Sequence, residues 1–279
     1  KDMLEYCIRD AELTWKVAHY LEKEGKDFSQ KSIRLEHNIR TIIDQQQKNG
    51  FAFKLREAII LLSQLEQEER KLEGEAQEIF PPTEIQLKTK VKYIPFNIAS
   101  RKQIAERLQQ KGWEPSQYTD KGNIIVNEKI LNEINMPEAK MFSRFFLLQK
   151  RTGLLKAWIK QCEEDERVRG RVLTLKTITG RMAHHSPNMA QVPAVYSPYG
   201  KECRDLWTVE DTNKYSLVGT DASGLELRCL AHYMGNEKYI EEVLDGDIHT
   251  ANMKLAGLTD RDQAKTFIYA FLYGAGAAK

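Results

Sequence analysis

Thr220-Asp221-Ala222-Ser223-Gly224-Leu225-Glu226-Leu227-Arg228 is the stretch whose reading decides the fold. Before it, residues 215–220 are β-prone and too few for a helix, which predicts a short buried strand with Asp221 emerging at its carboxyl end. From Glu226 on, Leu227, Leu230, Ala231 and Met234 recur at helical spacing and Gly235 follows as a C-cap, which predicts an amphipathic helix. The unit is strand, Asp, tight turn, helix. An Asp at such a junction serves either as an N-cap or, beside a free backbone carbonyl, as an oxygen ligand for a hard cation such as magnesium.

Downstream, Thr259 and Asp262 form a capping-box-like start to a second helix that Gly274 stops. Within it Arg261, Lys265, Tyr269 and Tyr273 stand four apart. Each step of four drifts only about 40° around the axis, so these side chains form one stripe roughly 18 Å long, two cations at one end and two aromatics at the other. That order suits a nucleoside triphosphate lying along the helix, with Arg and Lys on phosphates and a ring on the base or sugar. A solvated cationic face with Tyr packed in a core is the alternative.

Together the two stretches resemble the family A (DNA polymerase I-like) DNA polymerases. Asp221-x-Ser223-x-x-Glu226-Leu227-Arg228 resembles their motif A, and Arg261-x3-Lys265-x3-Tyr269-x3-Tyr273-Gly274 resembles their nucleotide-binding fingers helix. The spelling Gly-Leu-Glu-Leu-Arg-Cys-Leu-Ala-His and Ala-Lys-Thr-Phe-Ile-Tyr is similar to the phage replicative branch. The fold this implies is α+β and mostly helical, a partial right-hand polymerase. Residues 1–25 would be the tail of a 3′-5′ exonuclease-like domain, 26–165 connector and thumb, 166–235 part of the palm with motif A, and 236–279 the start of the fingers.

Length and composition fit that reading. A chain of 279 residues has room for one large domain or two ordinary ones. The net charge of +2 conceals a local excess, since residues 140–181 hold 11 Lys/Arg against 4 Asp/Glu. A stretch like that suits a phosphate backbone or forms a solvated face. Cys7, Cys162, Cys203 and Cys229 show no metal-ligand spacing, which points to a reducing compartment without a disulfide frame. No apolar run approaches a membrane span and no signal-peptide pattern opens the chain, so no membrane partner and a cytoplasmic site, host cytoplasm if viral, are expected.

Along the chain, residues 1–24 read as a helix with Leu4, Ile8, Leu13, Trp15, Val17 and Leu21 on its buried side. Its Tyr6-x3-Asp10 resembles the third motif of the family's proofreading exonuclease, where the Asp binds metal and the Tyr orients water; the remaining exonuclease carboxylates would precede Lys1. Residues 28–48 and 54–79 read as helices, the second facing a partner with Leu55, Ile59, Leu62, Leu65 and Leu72 and ended by Pro81-Pro82. Ser100 caps a returning helix. Some phage relatives carry a long basic thumb insertion that binds thioredoxin; residues 80–95 are short, so a thioredoxin-type processivity factor is not implied. Lys88, Lys90, Lys92, Arg101 and Lys102 are phosphate candidates or ordinary surface. Residues 137–166 read as one long helix carrying core aromatics.

Thr179-Gly180-Arg181 and Pro187-Asn188-Met189-Ala190-Gln191-Val192-Pro193 resemble signatures that in relatives touch the primer-template minor groove. Minor-groove acceptors are nearly common to all correct pairs, so Arg181, Asn188 and Gln191 suit a check of pair geometry without sequence readout.

The resemblance implies template-directed DNA synthesis, dNTP addition to a primer 3′-hydroxyl by two-metal phosphoryl transfer with Mg²⁺. Asp221, with the carbonyl of Ala222, would hold metal and be the catalytic carboxylate. His249, Arg261 and Lys265 would meet the triphosphate, with Ala222, Ser223, Gly224 and Leu225 lining the nucleotide. Glu226 would exclude ribose and hydrogen-bond Tyr269 or Tyr273. Tyr269 is associated in the family with weak discrimination against dideoxynucleotides, and Tyr273 would stack at the templating pair. Asp245 and Asp247 read as turn residues. The family's second metal carboxylate lies in a His-Asp-Glu motif that does not occur in these 279 residues. The chain therefore reads as an internal fragment, inactive or nearly so by itself, with a motif A strand that lacks sheet partners. A single-subunit RNA polymerase, disfavoured by Glu226, and a non-catalytic nucleic-acid-binding fragment are the other readings.

Overall fold

The structure is a computed structural model and describes residues 2–86 and 89–275. It is mostly helical with small antiparallel sheets, and it divides into two compact units, Lys1–Leu217 and Val218–Lys279.

The first unit is built on two 25-residue helices. In chain order come α1 (Asp2–Glu24), α2 (Gln30–Asn49), β1 (Phe51–Phe53), α3 (Leu55–Ile79), β2 (Thr83–Gln86), β3 (Val91–Ile94), α4 (Arg101–Gln110), α5 (Glu128–Glu133) and α6 (Pro137–Gln161). After them follow β4 (Arg167–Val168), β5 (Arg171–Leu173), β6 (Ala183–His185), α7 (Gly200–Asp205) and β7 (Trp207–Thr208).

Helices α3 and α6 pack antiparallel and share two cores. Ala58, Leu61 and Leu65 near the start of α3 meet Leu148, Leu155 and Trp158 near the end of α6. At the opposite ends Ala76 and Phe80 meet Phe142, Phe145 and Phe146, joined by Ile104 and Leu108 of α4 and Ile130 and Leu131 of α5. Rings of Phe80, Phe96 and Phe142 lie 4.8–5.8 Å apart, within the range of favourable aromatic pairing. At the other core Phe53 and Trp207, facing each other across the β1–β7 pair, meet Trp158. Strand β1 is the middle of a three-stranded antiparallel sheet, β4-β1-β7.

Local chemistry explains most boundaries. Ser100 and Asn127 accept the N–H groups of Gln103 and Ile130 and so cap α4 and α5. Pro81-Pro82 cannot continue α3. Gly50 has φ +62 and a Cβ there would lie 2.9 Å from the Val168 carbonyl oxygen, so the α2-to-β1 turn requires glycine.

Several expectations fail. The apolar side of α1 finds no partner among the described residues: Leu4, Ile8, Leu13, Trp15, Val17 and Leu21 are all exposed. Ile59 of α3 points outward, because Ala58 and Leu61 take the facing positions. Helix α6 ends at Gln161 rather than Glu166, since the carbonyl of Arg167 accepts the N–H of Glu163 and turns the chain into β4. Residues 215–220 form no strand; Tyr215, Leu217 and Val218 are exposed, and no described strand offers the ladder hydrogen bonds that an isolated strand needs. Lys88 lies outside the described residues.

The second unit is four short helices, α8 (Leu225–Met234), α9 (Glu237–Leu244), α10 (Ile248–Leu255) and α11 (Arg261–Leu272). Gly235 closes α8 in the left-handed conformation at φ +60, and Gly274 follows α11 at φ +78. Among the described residues no helix is long and apolar enough to cross a membrane, and all four cysteines are free.

Candidate functional site

All of the predicted nucleotide-binding residues lie in the second unit. Asp221 and Ala222 sit in exposed coil ahead of α8, not at a strand end. Ser223 and Gly224 make the turn: Gly224 adopts φ +60 as N-cap of α8, and the Ser223 carbonyl accepts the Nε–H of Arg228 at 2.8 Å. Leu225 is exposed and Leu227 buried, so the first turn of α8 anchors on Leu227 and leaves the preceding coil in solvent. Glu226, two residues into the helix, accepts a hydrogen bond from the Tyr273 hydroxyl. That contact ties motif A to the far end of α11, as expected for one of the two tyrosines.

Helices α10 and α11 pack against each other and are joined at their N-terminal ends by one carboxylate. Asp247 caps α10 by accepting the N–H groups of His249 (3.2 Å) and Thr250 (3.4 Å) and the Thr250 hydroxyl (2.7 Å). Its two oxygens also accept Nε–H and Nη2–H of Arg261 at 2.9 and 3.0 Å, a fork-to-fork pair. The guanidinium and the Thr250 hydroxyl hold the Asp247 carboxyl well below the usual carboxylate range, and the carboxylate raises Arg261 in turn. Asp247 is thus a helix cap and the partner of Arg261, which the turn reading missed. The signal available was an Asp directly before a helix start; its pairing with a residue 14 positions on leaves no local signature.

His249 lies with its ring centroid 6.1 Å from that of Tyr269. Burial, then the charges of Arg261 and Lys265, push its imidazole below the ordinary histidine range. Its Nδ1 is buried with no hydrogen-bond partner among the described residues. Arg261, Lys265 and Tyr269 share one stripe of α11, and Tyr273 stands at its C-cap. The cap at the other end is Asp260, whose side chain accepts the Asp262 N–H at 3.1 Å, not Thr259; the cap falls one residue later because α11 begins at Arg261.

Asp221 and the Ala222 carbonyl are hard oxygen donors, the right chemistry for a divalent ion. Their number is the difficulty: among the described residues no group of three or more His, Cys, Asp or Glu could hold a metal, so a two-ion shell is not complete here. The same holds at Tyr6 and Asp10, exposed and one turn apart on α1, where no further carboxylate joins them.

In the first unit, strands β5 and β6 form a hairpin with Val172 opposite His184. Its tip is closed by Thr177, whose hydroxyl accepts the Arg181 N–H at 2.7 Å and donates to the Arg181 carbonyl at 3.0 Å, with Gly180 at φ +75 in the turn. Arg181 is exposed there. At the base, Asn188 accepts the Ala190 N–H at 3.0 Å and starts a short 3-10 turn that carries exposed Gln191. A Cβ on Gly170 would meet Met189 and the Pro187 carbonyl, so β5 can lie against this turn only with glycine there. The basic excess of residues 140–181 is reduced by ion pairs, which hold at least five of its eleven Lys/Arg: Arg144 with Glu68, Lys150 with Glu128, Lys156 with Glu66, Arg167 with Glu210, and Arg169 with Glu163 and Asp165. Composition alone overstated the charge offered to a phosphate backbone.

Comparison with known proteins bears on the chain as a whole. A sequence model of DNA polymerase family A matches residues 61–279. The DNA-directed DNA polymerases of Escherichia phage T7 and Enterobacteria phage T3 are 44% and 43% identical over 210 residues, which is 68% of this chain and 30% of each phage protein. DNA polymerase I of Helicobacter pylori is 31% identical over 196 residues, 67% of this chain and 21% of its own length. Among solved structures, the POL domain of Pol1 from M. smegmatis, in complex with DNA primer-template and dNTP, matches 98% of this chain and 48% of that one with a TM-score of 0.76. At 18% identity that match speaks for the fold alone. The chain spans less than a third of the length of its phage relatives, and it belongs to DNA polymerase family A.

Proposed function

We propose that this chain carries the nucleotide-binding half of a template-directed DNA synthesis site of the phage replicative type. The reaction is attack of a primer 3′-hydroxyl on the α-phosphorus of a dNTP, with pyrophosphate leaving. The observation that carries this reading is the arrangement of the second unit: paired helices with Arg261 fixed at one end of a stripe, His249 beside Tyr269 in its middle, and Tyr273 bonded to Glu226 at its far end.

In this reading Arg261, Lys265 and His249 bind the β and γ phosphates and offset charge that builds on the leaving group. Glu226, drawn in by the Tyr273 hydroxyl, occupies the space beside the sugar C2′ and excludes ribose. Tyr269 lies along the sugar and Tyr273 at the templating pair, with Ala222, Ser223, Gly224 and Leu225 along the nucleotide. Arg181, Asn188 and Gln191 meet the primer-template minor groove. Asp221 and the Ala222 carbonyl would hold Mg²⁺, which supplies polarisation of the phosphoryl oxygens; a second carboxylate must complete the shell. Tyr6 and Asp10 would belong to an exonuclease site in the same way. The work would take place in cytoplasm, that of the host if the protein is viral, with no thioredoxin-type factor at the short thumb loop.

Binding of dGTP and Mg²⁺ to the chain, followed by calorimetry, tests the reading. Arg261→Ala and Lys265→Ala are each expected to weaken binding about tenfold, the effect of one lost charge-assisted hydrogen bond. Glu226→Ala is expected to bring GTP toward dGTP in affinity. Unchanged binding in both cation variants would sink the nucleotide assignment. A pH series adds a sign. His249 is held below its ordinary 6.5 by burial and by two cations. A bound triphosphate neutralises those cations and favours the imidazolium, so affinity should rise as pH falls from 7.5 to 5.5, and His249→Gln should flatten the slope.

A further inference from the structure

Asp247 takes no part in the reading above, yet it holds two residues that do. Its carboxylate accepts from the Arg261 Nε–H and Nη2–H, and from the backbone and hydroxyl groups that open the helix bearing His249. Those five contacts fill the acceptor capacity of two carboxylate oxygens, about four lone pairs. The group is therefore not available as a ligand for a cation. What it does is mechanical. An arginine side chain held on one edge of its guanidinium keeps the other edge, with both Nη1 hydrogens, pointed in a fixed direction, and ordering that would otherwise accompany ligand binding is done in advance. Since the same oxygens cap α10, the direction of the Arg261 fork and the position of His249 are set by one group.

We propose that Asp247 is a positioning residue that pre-organises Arg261 and His249 as a single receptor for the β and γ phosphates of the incoming nucleotide. The proposal rests on the assignment of Arg261 and His249 to phosphates. It gives Asp247 a role through Arg261 that helix capping alone would not have, and this difference is measurable. Asparagine caps helices as well as aspartate does, so Asp247→Asn keeps the cap while removing the charge.

The experiment is calorimetric binding of dGTP and Mg²⁺, and of inorganic tripolyphosphate with Mg²⁺, to the 279-residue chain and to Asp247→Asn, Arg261→Ala and the double variant. Asp247→Asn is expected to weaken both ligands about tenfold, a loss the size of one charge-assisted contact. In the Arg261→Ala background the same change is expected to do nothing further. The Nε resonance of Arg261, sharp and displaced when the carboxylate holds it, is expected to collapse toward the free-arginine position in Asp247→Asn. Parent-like affinity in Asp247→Asn, alongside weakened binding in Arg261→Ala, would overturn the positioning role and leave the nucleotide site standing. An equal loss in both backgrounds would mean that Asp247 acts independently of Arg261 and would overturn the positioning role. Parent-like binding in Arg261→Ala and Lys265→Ala would remove the nucleotide site itself, and the proposal with it.

Discussion

In Lys1–Leu217 the 25-residue helices α3 and α6 start at Lys54 and Met136 with no side-chain cap and are held by what they bury. In Val218–Lys279 the proportions reverse: α9, α10 and α11 each start on a side-chain cap, Asn236, Asp247 and Asp260, while α9 and α10 bury no residue fully. Helices of eight to twelve residues are marginal without packing, so caps and side-chain pairs decide whether they persist. The unit that carries the nucleotide candidates is thus organised by polar contacts between named side chains. Such contacts can be exchanged for contacts to a ligand, which a packed core cannot do; regions that move in binding are drawn from the less stable part of a structure.

The sharpest way to break this comparison is to remove one ring from each unit. Phe142, fully buried between Phe80 and Phe96, should cost about 3–5 kcal/mol on truncation to Ala, from lost transfer energy and the cavity left behind. Phe271 stacks on Phe267 but is 64% exposed, and Phe271→Ala should cost about 0.5 kcal/mol or less. Denaturant melts of the two variants measure both. Comparable losses would show that the second unit has a core of its own and that the contrast is false.

The next effect tests the caps. Asn236 accepts the Tyr239 N–H at 3.0 Å, and Asn236→Ala should lower the stability of α9 by about 1 kcal/mol. Lys54→Ala, at a position where no side chain caps, should change α3 by about 0.5 kcal/mol at most. Amide exchange within the two helices reads each effect where it occurs. Equal protection changes would mean that caps contribute alike in both units.

The same contrast explains what was legible beforehand. Helix α6 could be read because its apolar positions face a real core, and the caps at Ser100, Gly235 and Gly274 could be read because capping is local chemistry. Motif A and the fingers stripe pointed to the family and to most of the candidate site. What failed depended on groups distant in sequence. Residues 1–24 show an apolar side, but periodicity says nothing of whether a partner is present, and Trp15 is exposed. Residues 215–220 have strand composition, yet a strand exists only as part of a ladder. Asp247 looked like a turn residue because its partner Arg261 lies 14 positions on, at the start of the next helix. The charge of residues 140–181 looked available because Glu66, Glu68 and Glu128 lie outside that window.

The smallest effect concerns the polar network that bridges the two long helices of the first unit. Glu68 of α3 takes Arg144 of α6 at 2.8 and 3.1 Å through its two oxygens, and the Tyr199 hydroxyl at 2.7 Å; the Arg144 guanidinium also lies over the Tyr199 ring. Arg144 first, then Tyr199, holds the Glu68 carboxyl below its ordinary 4.5 against the opposing cost of burial. A carboxylate depressed in the folded state contributes its stability in full above the unfolded value and loses it as pH falls through the folded one. The contribution should therefore be constant down to about pH 4.5 and fade below it. Both side chains are about one-third exposed, so screening keeps it to about 1 kcal/mol or less. Glu68→Gln should accordingly lower stability slightly at pH 7 and approach the parent as pH falls below 4.5 and through the lowered folded value, with α3 and α6 still packed. A pH-independent gap between the two curves would mean that the network acts through shape and not charge. A gap rivalling that of Phe142→Ala would mean that polar contacts hold the first unit as they hold the second.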